Sequence, residues 1–164
     1  LLMIIHVPNK NTLIIEDFKL RCCVGKKGFN SNKKESDYST PKGLFNLRKL
    51  YFRKDRTGIP KCKINKKIIK RDMAWCDDPK HKKYNEEIKT RTNGLKESLY
   101  RKDHKYDYII SISHNEEKIP SKGSAIFIHL TDNYKPTAGC VALKMKDFEI
   151  LLKLIDKKTK IKIG

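Results

Sequence analysis

No apolar run in this chain reaches the ~18 residues that a membrane-crossing helix needs, so no transmembrane helix is expected. Tryptophan occurs once, proline six times and glycine eight times in 164 residues, which excludes collagen-like and Pro/Gly-rich low-complexity chains. No C-x-x-C pair exists. Without one, neither a thioredoxin-like centre nor a paired zinc knuckle is encoded. Cys76 and His81 offer two zinc ligands but no second half at ligand spacing, so no metal is expected. Five cysteines (Cys22, Cys23, Cys62, Cys76, Cys140) leave at least one thiol unpaired in any disulfide scheme. Adjacent Cys22 and Cys23 point to opposite faces of a strand, which puts one of them in the core.

Acidic residues are also scarce: 19 Asp and Glu face 38 Lys and Arg, for a net charge of +19. That balance predicts an anionic partner, whether nucleic acid, an acidic surface or an acidic polymer. Only seven of the basic residues are Arg, and the lysines are scattered in pairs such as Lys66-Lys67 and Lys157-Lys158. A nucleic-acid reader tends to gather its basic residues on one element. No RNP-like or helix-turn-helix signature is present, and nucleic acid is not the expected partner.

What is present is β-patterned. Leu1 to Pro8 is apolar without a basic leader or a small-residue cleavage site, and reads as a first strand rather than a secretory signal. Met3 to Val7, Thr12 to Glu16 and Phe18 to Gly25 form short runs separated by turns, and Gly43 to Phe52 alternates. Tyr106 to Ser113, Ser124 to Leu130 and Lys160 to Ile163 read as further strands. Phe148, Leu151, Leu152 and Ile155 share one helix face, so a helix is expected over Asp147 to Ile155. Lys54 to Leu95 is polar and aperiodic, and is expected as a long irregular insertion. The whole chain, 1–164, reads as one mainly β domain with one late helix packed on a sheet.

Chemistry concentrates in two segments. Gly123-Ser124-Ala125-Ile126-Phe127-Ile128-His129-Leu130 is a buried-looking strand ending in a His. Eleven residues after His129, Pro136-Thr137-Ala138-Gly139-Cys140-Val141-Ala142-Leu143 presents a Cys among small residues. Small neighbours let a carbonyl approach the sulfur and let backbone N–H groups face an oxyanion. A nearby imidazole would lower the thiol pKa and store its proton for a leaving amine. The same residue types also suit a small buried hydrophobe and a satisfied core histidine, and residue type alone leaves both readings open.

These two segments resemble the L,D-transpeptidase (YkuD-like) catalytic domain, in the branch reading G-S-A-I-F-x-H and then P-T-x-G-C-V-A-L. The resemblance spans about Cys23 to Ile155. It takes in Gly25-Lys26-Lys27-Gly28, Lys34-Glu35-Ser36-Asp37, Thr40-Pro41-Lys42-Gly43 and Tyr51-Phe52-Arg53-Lys54-Asp55-Arg56. It continues through Trp75-Cys76-Asp77-Asp78-Pro79, Tyr84-Asn85, and Glu97, Arg101, Asp103 and Tyr106-Asp107. The sequence carries Lys96 where that branch often has His. It has Ala138 and Ala142 where the better-known family pattern has a basic residue before the Gly-Cys and an Arg after the Cys.

The resemblance implies an L,D-transpeptidase-like β-sandwich and a cysteine acyltransferase acting on peptidoglycan stem peptides. Cys140 would be the nucleophile and His129 the general base, oriented by a backbone carbonyl such as that of Leu130. N–H groups around Gly139 and Cys140 would form the oxyanion hole. Arg48, Arg53 and Arg56 are candidates for substrate carboxylates. Trp75, Asp77, Tyr84, Asn85, Thr137 and Ala138 are candidates for the cleft. The implied protein needs no cofactor, is monomeric and works in the periplasm or cell envelope. L,D-carboxypeptidase activity, with water as acceptor, is the alternative in the same class. A basic nucleic-acid- or glycan-binding module without catalysis is the alternative outside it.

Overall fold

The computed structural model describes residues 1–164. The strands are β1 (Ile4–Asn9), β2 (Thr12–Ile15), β3 (Phe18–Arg21), β4 (Phe29–Asn30), β5 (Thr40–Pro41) and β6 (Gly43–Phe52). There follow β7 (Asn65–Ile68), β8 (Met73–Cys76), β9 (Glu87–Lys89), β10 (Lys96–Ser98), β11 (Tyr108–Ile112), β12 (Phe127–Leu130), β13 (Val141–Leu143) and β14 (Lys160–Ile163). Two helices, α1 (Lys54–Thr57) and α2 (Met145–Leu154), complete the chain. No helix is long and apolar enough to cross a membrane.

The main sheet is mixed and runs β13-β12-β11-β6-β14-β1-β2-β3, with β7 added along β6. Its two ends meet. Beyond β3 the chain at Cys23 exchanges both backbone hydrogen bonds with Ala142 on β13, at 3.0 and 2.9 Å, and Gly25 bridges Thr137. The sheet therefore folds over on itself around one core. Ile5, Val7, Leu13 and Ile15 from one end pack in the same cluster as Leu50, Ile110, Ile128 and Val141 from the other. Phe148, Leu151 and Leu152 bury the apolar face of α2 in that cluster, and Phe148 stacks on Tyr108 at 5.4 Å. Leu151 C=O accepts the last helical bond from Ile155, where the backbone turns extended. The helix begins two residues before the expected Asp147, at Met145.

Three expectations change. Lys54 to Leu95 is not irregular throughout: it holds α1, β7, β8 and β9, and β8 and β9 join β10 in a three-stranded sheet ordered β10-β8-β9. Strands of three or four residues are too short to show a period. They are fixed instead by tertiary contacts, such as Trp75 standing edge-on to Phe127 at 5.0 Å. The strand expected from Ser124 starts only at Phe127, because Ala125 is left-handed (φ 54°) and takes its segment out of the ladder. The strand expected to run to Gly25 stops at Arg21. Cys22 and Cys23 are both buried, and all five cysteines are free thiols.

Candidate active site

β12 is buried along its whole length, so His129 enters the interior as a member of a core strand. β13 runs parallel beside it, with Ile128 opposite Val141 and His129 opposite Ala142. This pairing brings the residue just before β13, Cys140, to the same face as Phe127 and His129. Cys140 and His129 open on one cleft of about 410 Å³.

The imidazole Nδ1 lies 2.8 Å from the Leu130 carbonyl. A carbonyl only accepts, so Nδ1 carries the proton and Nε2 keeps its lone pair. Tyr106 meets the ring edge-on at 5.4 Å. The Cys140 thiol donates to Ala125 C=O at 3.1 Å and its sulfur accepts the Phe127 N–H at 3.3 Å. It makes no hydrogen bond to His129. Burial pushes the thiol up to about 12, and burial pushes the imidazole down to about 4. This corrects the expectation of a thiol lowered by its neighbour: burial disfavours the charged form of each group. The pair at rest is neutral thiol and neutral imidazole.

The backbone turn before Cys140 is tied by Thr137. Its hydroxyl donates to Cys140 C=O at 2.6 Å and accepts the Gly139 N–H at 3.1 Å. The Gly139 N–H is thereby occupied, whereas the Cys140 N–H has no partner within the protein. A Cβ on Gly139 would stand 2.9 Å from Ser39 C=O, and the φ of 153° is itself one that side chains avoid. Ala138 sits exposed on the rim.

Of the remaining expected site residues, only Asp77 lines the cleft. Its Oδ1 is buried without a hydrogen-bond partner, and burial, reinforced by Glu35, raises its carboxyl. Tyr84 and Asn85 act from behind. The Tyr84 hydroxyl donates to Glu35 at 2.6 Å and accepts the Gly123 N–H at 3.0 Å. Asn85 Oδ1 accepts the N–H groups of Ala125 (3.0 Å) and Trp75 Nε1 (2.9 Å), and its Nδ2 donates to His114 and Asn115 carbonyls. Every hydrogen-bonding position of that amide is filled. Through Ala125, Asn85 fixes the carbonyl that holds the thiol proton. Trp75 serves this scaffold and does not face the cleft.

The three arginines expected at the cleft are elsewhere. Arg48 pairs with Glu116 on the surface. Arg53 is buried, bidentate to Asp55, bonded to Arg101 C=O and stacked 3.7 Å over Tyr100. Arg56 joins Asp107 to the carbonyls of Lys102 and Asp103. Each guanidinium is consumed by the protein's own carboxylates and carbonyls, in a chain with few Arg to spare.

The cleft is instead walled by residues given no role in the sequence, among them Lys33, Glu35, Glu97, Arg101, Lys105 and Tyr106. Tyr106 donates its hydroxyl to Glu97, whose carboxyl burial raises. Most of these positions lie inside the strings that carried the family resemblance. Their signal was presence in a motif, and nothing in the residue type said that they face one space. Cys76 is buried in its sheet and His81 Nδ1 accepts the Lys83 N–H.

Known proteins bear on this arrangement in three ways. No curated protein matches the chain. Among solved structures, Bd1075 of Bdellovibrio bacteriovorus aligns with TM-score 0.52 and 14% identity, over 99% of this chain and 47% of that one. The helical cell shape determining protein Pgp2 of Campylobacter jejuni aligns with TM-score 0.53 and 17% identity, over 98% of this chain and 46% of that one. At such identity the likeness is one of fold, and this chain spans a little under half of each. The model of the L,D-transpeptidase (YkuD) catalytic domain matches residues 2–163, and by that match the chain belongs to this family.

Proposed function

We propose that the chain carries out cysteine-dependent acyl transfer on peptidoglycan stem peptides, as an L,D-transpeptidase forming 3→3 cross-links. Cys140 Sγ attacks the carbonyl between the third stem residue and the terminal D-residue. The S–H proton moves to His129 Nε2 as the S–C bond forms. Collapse breaks the C–N bond, the imidazolium returns the proton to the departing amine, and a thioester remains. A side-chain amine of a second stem resolves it, losing its own proton to His129. Water in place of that amine would make the product a shortened stem, the L,D-carboxypeptidase outcome. Action in the cell envelope follows from the substrate, and the likeness to Pgp2, a helical cell shape determining protein, suggests a part in cell shape.

The observation that carries this reading is the cleft shared by Cys140 and His129, with Nδ1 committed to Leu130 C=O and the Cys140 N–H left free. A purely structural Cys–His pair has no use for an open cleft at the sulfur. The test is incubation of a purified tetrapeptide muropeptide with the wild-type chain and with Cys140→Ala, followed by mass spectrometry. Wild type is expected to release the D-residue and yield a dimer; a tripeptide alone would identify water as acceptor. Equal turnover by Cys140→Ala would refute the mechanism.

A further inference from the structure

Lys33 is a lysine in the wrong place for a surface charge. Its side chain is only 4% exposed, on the loop between β4 and β5. Its stem crosses Gly123, where an added Cβ would stand 3.1 Å from Cγ and 3.3 Å from Cε. The ammonium ends beside Gly139, 3.5 Å from where a Cβ on that residue would lie. Gly123 thus leaves room for the lysine stem, and the ammonium reaches the turn that carries Cys140. Within the protein Nζ has one partner, Asp37 Oδ1 at 2.5 Å. An ammonium has three donors, so two face the remaining surroundings, and Lys33 lines the cleft with Cys140.

Asp37 is built to hold this cation and not to neutralise it in isolation. Its carboxylate also accepts the Ser39 N–H and hydroxyl, at 2.9 and 2.8 Å, and the Lys34 N–H at 2.9 Å. Burial alone would raise its carboxyl, but those donors together with Lys33 hold it well below the usual range. A buried ion pair seldom stabilises a fold beyond what apolar side chains would give. Its placement against the catalytic turn therefore calls for another reason.

Resting on the reading of Cys140 as nucleophile, we propose that the Lys33 ammonium completes the oxyanion site, together with the free Cys140 N–H. As the S–C bond forms, the carbonyl π electrons move onto oxygen, and Lys33 Nζ donates a hydrogen bond to that oxygen. It transfers no proton; the thiol proton goes to His129. The role answers a deficit in the site, where the Gly139 N–H is already spent on Thr137. It also gives the anionic intermediate a cation in a cleft whose other charged neighbour of Cys140, Glu97, acts in the opposite sense. A donor already fixed in place costs little reorganisation when charge appears.

The experiment compares wild type, Lys33→Met and Lys33→Gln in the tetrapeptide assay, with folding followed by near-ultraviolet circular dichroism. Lys33→Met is expected to lower kcat about 10²–10³-fold with KM nearly unchanged. Lys33→Gln keeps a donor towards Asp37 without the charge, and is expected to fall between Met and wild type. A raised KM with kcat intact would show that Lys33 grips a carboxylate in the ground state, and would overturn the proposal. So would a kcat within about fivefold of wild type in either folded variant. Cys140→Ala in the same assay separates the two levels: its failure to abolish turnover sinks the nucleophile reading, whatever Lys33 does.

Discussion

Alkylation of Cys140 tests the central electrostatic argument. The thiol is pushed up to about 12 and the imidazole down to about 4, both by burial. Both shifts run the same way and favour the neutral thiol and neutral imidazole over a resting thiolate–imidazolium pair. An ordinary thiol near 8.5 is a few per cent ionised at neutral pH; a thiol near 12 is ionised to about one part in 10⁵. The perturbation is a pH series from 6 to 10 with iodoacetamide, read by peptide mapping so that each cysteine reports separately. Half-buried Cys62 serves as the internal comparison, since Cys22, Cys23 and Cys76 are also buried. Cys140 is expected to stay nearly unlabelled at pH 7 while Cys62 reacts, and to gain rate about tenfold per pH unit up to pH 10. A plateau of Cys140 labelling below pH 7 would mean a preformed ion pair and would refute the desolvation argument. Slow labelling does not signal an inert enzyme here. In the proposed mechanism the thiol would ionise only as substrate displaces it from Ala125 C=O and its proton passes to His129 Nε2.

The scaffold can be tested at three further points. Asn85→Ala strands the buried Ala125 N–H and the Trp75 indole N–H, at about 1–3 kcal/mol each; a loss of about 3 kcal/mol lowers Tm by about 6–12 °C, and a shift under about 2 °C would refute the clamp. His129 has its pKa lowered on folding, so the stability it contributes is complete above about 6.5 and is lost as pH falls through about 4, by about 3 kcal/mol. Urea midpoints across that window should fall in wild type and fall less in His129→Gln. Glu97 is raised by burial, so its favourable contribution lies below its unfolded pKa and is lost as pH rises through the folded one. Glu97→Gln keeps an acceptor for Tyr106 and is expected to raise Tm at pH 7; an equal or lower Tm would show that the carboxylate is well solvated.

Alternation and helical spacing were enough to place β6, β11, β14 and α2, because each is long or periodic and packs on one core. They failed between Lys54 and Leu95, where three- and four-residue strands are held by Trp75, Tyr84 and Asn85 and have no period of their own. Cys140 and His129 stood out as residue types, and their convergence on one cleft comes from the parallel β12–β13 register, which no local signal encodes. The arginines mislead for a physical reason. Arg is the side chain that carboxylates recognise best, and the protein's own Asp55, Asp107 and Glu116 claim Arg53, Arg56 and Arg48 first.

The same competition bears on which cation is left near Cys140. An exposed lysine is screened by water and costs nothing to place, and most of the +19 charge is of that kind. On the proposal above, the acting cation would instead be held on a buried stem, and Gly123 gives Lys33 the room to reach the turn before Cys140. Gly123 would therefore be a better guide to the proposed working charge than the count of lysines. Gly123 and Gly139 also both hold positive φ, 107° and 153°, a backbone conformation that side chains avoid. A Cβ on Gly123 would meet His114 Nε2 at 3.0 Å and the Lys33 stem at 3.1 Å, and one on Gly139 would meet Ser39 C=O at 2.9 Å and Ile126 Cδ1 at 3.2 Å. Gly139→Ala should displace the turn, because its Cβ would press on Ser39 C=O and Ile126, while Lys33 Nζ at 3.5 Å would be in ordinary contact. Its turnover should fall further than that of Lys33→Met, measured side by side in the tetrapeptide assay. A Gly139→Ala chain as active as wild type would mean that the turn has slack and would refute the argument from its geometry.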